Sequence, residues 1–408
     1  MRESFDALRE RQFRLLFTGQ IVSLLGDAIT GVALAFAVLD LTGSATDLGY
    51  VFAAKTIPLV AFLLVGGVFA DRLPRRAVML TADVLRGMAQ GTVAVLILTH
   101  SAHIWEIVVL QAISGTASAF FNPASTGLTP MTVSPERLQQ ANALRGLSMA
   151  STGIIGSVIS GALVAGFGAG WALAIDAASF AVSAFFLAQL RLPAHVTLPP
   201  QSFFKDLREG WREFSSRTWV WVIVLAAAIG NMMASVFVVL GAVLSKSSLG
   251  GPGAWAAILA SLGIGSLFGG LVSLRIHVRR PLFFGSSLLG LFALPIALLA
   301  LRAPITLIAV GALLAGVANM IFSAFWETAL QQHVPAAALS RVSAYDWFGS
   351  LAFQPIGLVV AGPAAAAIGT STTLWIAAAG TLGMAALAVA TPSVRRLEAL
   401  PAGPLAHG

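Results

Sequence analysis

The sequence contains no cysteine, which excludes a disulfide framework, a thiol nucleophile and a thiolate metal site. Charge is almost as scarce. Asp, Glu, Lys and Arg make up 10% of the 408 residues, against 57% hydrophobic, where a soluble domain carries about 25% charged residues. An ordinary water-soluble globule is therefore excluded and the lipid bilayer is the expected solvent. The six histidines are scattered: His100 and His103 share a short loop and His333 closes a hydrophobic run, so no metal site is expected. There is no G-x-x-x-x-G-K-[ST] loop and no soluble stretch large enough for a nucleotide, which argues against ATP hydrolysis and against any bound cofactor.

What the chain has is long apolar runs. About twenty apolar residues cross roughly 30 Å of hydrocarbon as helix, and twelve such runs are read here, beginning at residues 13–39 and 47–70 and ending at 338–368 and 371–391. The first follows Arg2, Arg9, Arg11 and Arg14 and is longer than the core of a signal peptide, so it is expected to remain as a span. Of the 24 Lys and Arg residues, only Lys246 and Arg302 fall in the loops opposite the termini, and Lys55, Arg86 and Arg145 lie within spans; the other nineteen flank the spans on the terminal side. That bias predicts cytoplasmic termini, and it assigns the net charge of +7 to membrane orientation rather than to nucleic acid.

The longest break, 192–216, holds Pro193, Pro199 and Pro200 and then an amphipathic pattern in which Phe203, Leu207, Trp211 and Phe214 recur at helical spacing. An interfacial helix is expected there. It divides the chain into bundles of six spans at 1–191 and 217–393, with a tail at 394–408. The halves echo one another: Gly66-Gly67 with Arg72, Arg75 and Arg76 returns as Gly269-Gly270 with Arg275, Arg279 and Arg280, and Val133–Leu138 returns as Val334–Leu339. The echo fails at Asp71, whose counterpart is Leu274.

Gly67, Asp71, Arg72, Arg75 and Arg76 form a G-x-x-x-D-R-x-x-R-R pattern between the second and third runs, with Pro74 placed for the first turn of the third helix. On this pattern the chain resembles the major facilitator superfamily. Gly19-Gln20, Ser23-Leu24-Leu25-Gly26-Asp27, Thr42-Gly43-Ser44, Ala141-Asn142-Ala143-Leu144 and Asp176-Ala177-Ala178-Ser179-Phe180 are similar to its drug:proton antiporter group, which includes macrolide and siderophore exporters. The resemblance implies an all-α integral membrane fold of two pseudo-symmetric six-helix bundles. It further implies proton-coupled export of an amphipathic small molecule by alternating access, and a 2–3 loop that gates against helix 11. Ser157 stands where these exporters usually carry proline, so helix 5 is expected to be less kinked.

Few acids remain within the spans, and each costs about 2.5–3.5 kcal/mol at bilayer centre, so each is expected to face a cavity or a partner. Asp27 and Lys55 fall at similar depth. Asp27 is a protonatable coupling group on one reading and half of a fixed Asp27–Lys55 pair on the other; Glu327 and Lys55 are further coupling candidates. Asp83 and Arg86, one turn apart, are expected to brace the 2–3 loop, and Glu327, Arg341 and Asp346 to form a local charge network. Gln20, Gln111, Asn122, Asn231, Asn319 and Gln354 are inward polar candidates, with Trp326 as an aromatic cavity wall. The expected partners are a small-molecule substrate, the proton and the bilayer, with the chain acting as a monomer. An importer of the same fold, a polytopic membrane enzyme and a non-transporting sensor are the alternatives; short loops and the lack of a signalling domain weigh against the last two.

Overall fold

The computed structural model describes residues 3–192, 203–276 and 278–398, without the side chains of 3–5, 64–72, 203–207, 336–337 and 340. The surroundings of Gly67, the side chains of Asp71 and Arg72, and the proline-bearing segment 193–202 therefore lie outside what is described. Every described element is helical, and twelve spans are long and apolar enough to cross a membrane. The first six are α1 (Arg11–Thr42), α2 (Ala45–Arg72), α3 (Arg75–Leu98), α4 (Ile104–Leu128), α5 (Leu138–Phe167) and α6 (Ala169–Ala188). The amphipathic α7 (Phe203–Ser215) follows, and then α8 (Thr218–Leu244) and α9 (Pro252–Ser273).

The ninth span is divided into α10 (Pro281–Leu289) and α11 (Ala293–Ala300) by a turn of 3-10 helix at Gly290–Phe292. Pro295 lacks the N–H that would continue the ladder through that turn. After α12 (Ile305–His333), the eleventh span breaks in the same way: α13 (Ala336–Leu351) and α14 (Gln354–Ile368) flank Ala352 and Phe353, with Pro355 in the first turn of α14. The chain closes with α15 (Thr370–Ala390) and the short α16 (Pro392–Arg395). By contrast α5, with Ser157 in its middle, runs as one helix from Leu138 to Phe167.

The two halves repeat each other in backbone detail. His100 and Arg302 both adopt positive φ, 54° and 53°, in the tight turns after α3 and α11. Each turn closes with the same pair of hydrogen bonds, from His100 and Ser101 to Ile97 and Leu96, and from Arg302 and Ala303 to Leu299 and Leu298. Gly168 and Gly369 likewise take φ of 86° and 89° between α5 and α6 and between α14 and α15. Non-glycine residues pay steric energy for such φ values, so their matched recurrence marks a repeated turn geometry.

The halves meet at the face opposite the termini. One apolar cluster there joins α1, α2, α8, α9 and α14, with Val38, Leu48, Leu240, Trp255 and Leu358 all buried. Toward the terminal face the buried clusters separate: two lie wholly in the first half and one in the second. At the joined end a Cβ on Gly362 would stand 2.4 Å from the backbone of Thr46, an approach that only glycine permits. An ion pair of 2.6 Å between Asp40 and Lys246 closes the rim; half-exposed, it adds only about 0–1 kcal/mol. On the terminal face α7 packs against α13, where Arg341 reaches Glu209 at 2.5 Å and Trp211 and Phe214 contact the Tyr345 ring.

A native background free of cysteine allows this joint to be tested directly. Asp40→Cys with Lys246→Cys should be bridged efficiently by a short thiol-specific crosslinker. Adding Gly362→Leu should reduce the yield several-fold by forcing α2 and α14 apart.

Candidate functional site

The first half contains a buried polar layer built from stripes on otherwise apolar helices. Asp27 and Thr30 lie one turn apart on α1, Asp83, Arg86 and Gln90 on successive turns of α3, and Asp176, Ser179 and Ser183 on α6; this spacing puts each set on one helix face. Arg86 is the centre. Its Nη2 donates to Asp27 Oδ2 and its Nη1 reaches Asp83 Oδ1 at 3.4 Å. The rings of Phe180 and Phe121 contact the guanidinium at 4.1 and 5.0 Å from their centroids, an attraction that strengthens away from water. Lys55 Nζ lies 3.4 Å from Asp27 Oδ1.

Exposure separates the two acids that share Arg86. The Asp27 side chain is 31% accessible and Lys55 28%, whereas Arg86 is 4% and Asp83 0% accessible. Asp27 is thus the open edge of a sealed charge cluster. Beside it runs a hydrogen-bonded chain: Gln111 Nε2 donates to Gln90 Oε1 (3.2 Å), Gln90 Nε2 to Thr30 (3.0 Å) and Thr30 to Asp176 Oδ2 (2.5 Å). Asp176 also accepts from Ser179 at 3.4 Å. Three carboxylates and two cations leave one negative charge over when all are ionised, so one bound proton makes the layer neutral.

Helix packing is adapted to this layer at Gly26. A Cβ there would stand 2.1 Å from Ser179 Oγ and 2.4 Å from Asp176 Oδ1, so α1 and α6 approach as closely as they do only because the side chain is absent.

The sequence candidates are distributed unevenly over this geometry. Asp27 and Lys55 are paired, as one reading expected. Arg86 is not engaged with the 2–3 loop in its described contacts; it and Asp83 are buried between α1, α4 and α6. Arg75 and Arg76 instead cap helix ends, donating to Gly127 O of α4 (2.6 Å) and to Leu187 O and Ala188 O of α6 (3.0 and 2.5 Å), where the helix dipole favours cations.

In the second half Arg341 pairs with Glu209 of α7. Asp346 accepts from Trp326 Nε1 (2.9 Å) and Ser350 Oγ (3.2 Å), and Glu327 is exposed. The expected three-membered network of Glu327, Arg341 and Asp346 is thus replaced by two separate contacts. Trp326, buried and bonded to Asp346, packs in the core rather than lining a cavity. Gln20 donates to Ser125 (2.6 Å) and Asn231 to Ser350 O (2.9 Å); Gln354 is half-buried, and Asn122 and Asn319 are exposed. Asp176, Thr30, Gln90 and Arg145, whose guanidinium holds Thr129 and Ser125 at 2.5 and 3.1 Å, are members of polar networks that the sequence reading did not single out. A groove of about 710 Å³ between α3 and α4, lined by residues such as Leu85, Val109, Ile113 and Phe120, has no charged side chain among its described lining residues.

Twelve spans in two matched halves, joined at one face and carrying a charged layer within the hydrocarbon zone, define a polytopic membrane transporter. The chain belongs to the Major Facilitator Superfamily, whose family model matches residues 16–350. It is similar to the multidrug efflux pump Tap of Mycolicibacterium fortuitum, 28% identical over 94% of this chain and 96% of that one. It is similar also to macrolide efflux protein A of Streptococcus pyogenes, at 23% over 95% and 97%, and to the enterobactin exporter EntS of Shigella boydii, at 29% over 81% and 80%. Among solved structures, the nucleoside transporter NupG shares the fold with a TM-score of 0.73, at 14% identity over 95% of this chain and 99% of that one. A bacterial homologue of the iron transporter ferroportin, in an inward-facing state, matches with a TM-score of 0.76 at 15% identity over 95% and 99%.

In an unconstrained helix Gly→Ala stabilises by about 1 kcal/mol, but Gly26→Ala should lower stability by about 1–3 kcal/mol through overpacking against Ser179 and Asp176. A fall in the thermal unfolding midpoint of the detergent-solubilised protein checks the sign.

Proposed function

We propose that the protein is a secondary transporter of a bacterial cytoplasmic membrane that exports an amphipathic small molecule in exchange for protons, by alternating access. The observation that carries this reading is Asp27: an intramembrane carboxylate, open on one edge, tied to Arg86 and Lys55 in a layer of three acids and two cations. Intramembrane ionisable groups that are neither fully sealed nor exposed to lipid are the usual carriers of coupling ions. The named activities of the three relatives support efflux of a drug-like or siderophore-like molecule.

The cationic bias of the loops supports cytoplasmic termini. With that orientation, joined outer ends and separate inner clusters correspond to a conformation closed outside and open inside. The functional units on this reading are the six-span bundles 1–191 and 217–393, connected by the linker 192–216 and followed by the tail 394–408, with one chain sufficing for transport. The Gly67, Asp71, Arg72, Arg75 and Arg76 loop then acts as the inner gate: Arg75 and Arg76 hold it to α4 and α6 while the halves rock.

The test is transport by the purified chain in proteoliposomes with an imposed pH gradient, using a panel of lipophilic cations, macrolides and siderophores. The wild type should move at least one of them out of the compartment facing the termini, against its gradient. Asp27→Asn should reduce proton-driven movement by a factor of about 100 or more, while leaving the protein folded. Uptake in the opposite direction would favour the importer, and unchanged proton dependence in Asp27→Asn would remove Asp27 from coupling.

A further inference from the structure

The contacts of Arg86 leave two matching atoms unused. Arg86 Nε has no hydrogen-bond partner, and neither has Asp83 Oδ2, although Arg86 and Asp83 are 3% and 0% exposed and already meet through Nη1 and Oδ1. A buried N–H and a buried carboxylate oxygen without partners are each costly. These two belong to residues one turn apart on α3, and a guanidinium meets a carboxylate best through two parallel hydrogen bonds. The present arrangement, with one long contact to Asp83 and one to Asp27, is therefore one of two that this pair of residues supports.

We propose that Arg86 has two stations and that Asp83 is the second of them. In the first, described here, Nη2 donates to Asp27, and the guanidinium meets Asp83, beside Ser183, through the single Nη1 contact. In the second, Arg86 forms the two-pronged pair with Asp83, using Nε and Oδ2, and releases Asp27. A proton or a substrate cation arriving at the open edge of Asp27 drives the change, because a neutralised Asp27 no longer holds the guanidinium. The proton adds to an Asp27 carboxylate oxygen, Arg86 keeps its own protons throughout, and no covalent bond other than that O–H forms or breaks.

The surroundings suit a cation that exchanges partners in place. Phe180 and Phe121 contact the guanidinium from α6 and α4, and interaction with ring faces does not consume N–H donors. The charged groups of the layer are Asp27 on α1, Lys55 on α2, Asp83 on α3 itself and Asp176 on α6, with Gln111 and Phe121 contributed by α4. Lys55 stays beside Asp27 in both stations, 3.4 Å from its Oδ1 in the first. Asp83 is thus a positioning residue: it touches neither substrate nor solvent, and sets how readily Asp27 gives up its internal partner. The inference rests on the proposed role of Asp27 in coupling, and deepens it.

The experiment measures how Asp27 responds to pH without using transport. The full-length chain in nanodiscs is treated with a carbodiimide, which modifies protonated carboxyl groups, across a pH series, and labelling of Asp27 is followed by peptide mass spectrometry. In Asp83→Asn, Arg86 loses its second station and stays on Asp27, so more acid is needed to protonate Asp27. The labelling midpoint should fall by about one pH unit or more, a tenfold change in proton affinity. Asp83→Ser, which likewise removes the second carboxylate, should shift it the same way and serves where Asp83→Asn does not fold. A midpoint unchanged from wild type in a folded variant overturns the two-station arrangement and leaves the transport reading standing. Loss of export by the wild type in the transport assay strikes that reading instead.

Discussion

A guanidinium held inside a membrane protein needs a counter-charge at every moment, and the first half of this chain is assembled around that requirement. Placing one charged side chain at bilayer depth costs about 2.5–3.5 kcal/mol, and stripping a buried ion of its partner costs about 3–5 kcal/mol. Arg86 therefore fixes where Asp27 and Asp83 stand, and links α3 to α1 through side chains, while α6 packs against both helices. The aromatic contacts bring α4 and α6 to the same point. Gly26 then lets α1 settle against Asp176 and Ser179, and the hydrogen-bonded chain from Gln111 to Asp176 runs beside the ionic cluster.

The second half keeps the architecture and drops the chemistry. Its turns reproduce those of the first half down to matched positive φ values at His100 and Arg302, yet its buried acid, Asp346, is satisfied by an indole and a hydroxyl. No ion pair among the described residues joins it to a cation. Its ninth and eleventh spans are interrupted at Pro295 and Pro355, whereas α5 of the first half is continuous. Backbone geometry is set by helix length and turn sterics, which duplicate easily. A charged network depends on several side chains at once and is lost when any one is replaced.

That difference also explains what could be read from the sequence alone. The spans were legible because hydrocarbon thickness fixes the length of each apolar run, and the halves because their loop residues recur at a nearly constant offset, 201 to 204 residues. Asp27 and Lys55 were legible from depth, a property of position along a helix. Arg86 was misplaced because a cation near the start of a span, one turn from Asp83, looks the same whether it turns toward the loop or across to α1. Asp176 and Gln90 were missed because their partners lie 146 and 60 residues away along the chain. The polar stripes 27/30, 83/86/90 and 176/179/183 were present in the sequence and were the available signal. Glu327 and Asn319 point the other way: a polar residue in an apolar helix need not face inward, and both are exposed.

The division between the halves carries an evolutionary consequence. The buried ion pairs lie on α1, α2 and α3, with Asp176 beside them on α6, while the interrupted spans, α10–α11 and α13–α14, belong to the other bundle. Substitutions that reshape the second wall of the crevice can accumulate there without disturbing a single charge of the first. On the proposed reading, a lineage built this way diversifies what it carries while inheriting its energy source unaltered.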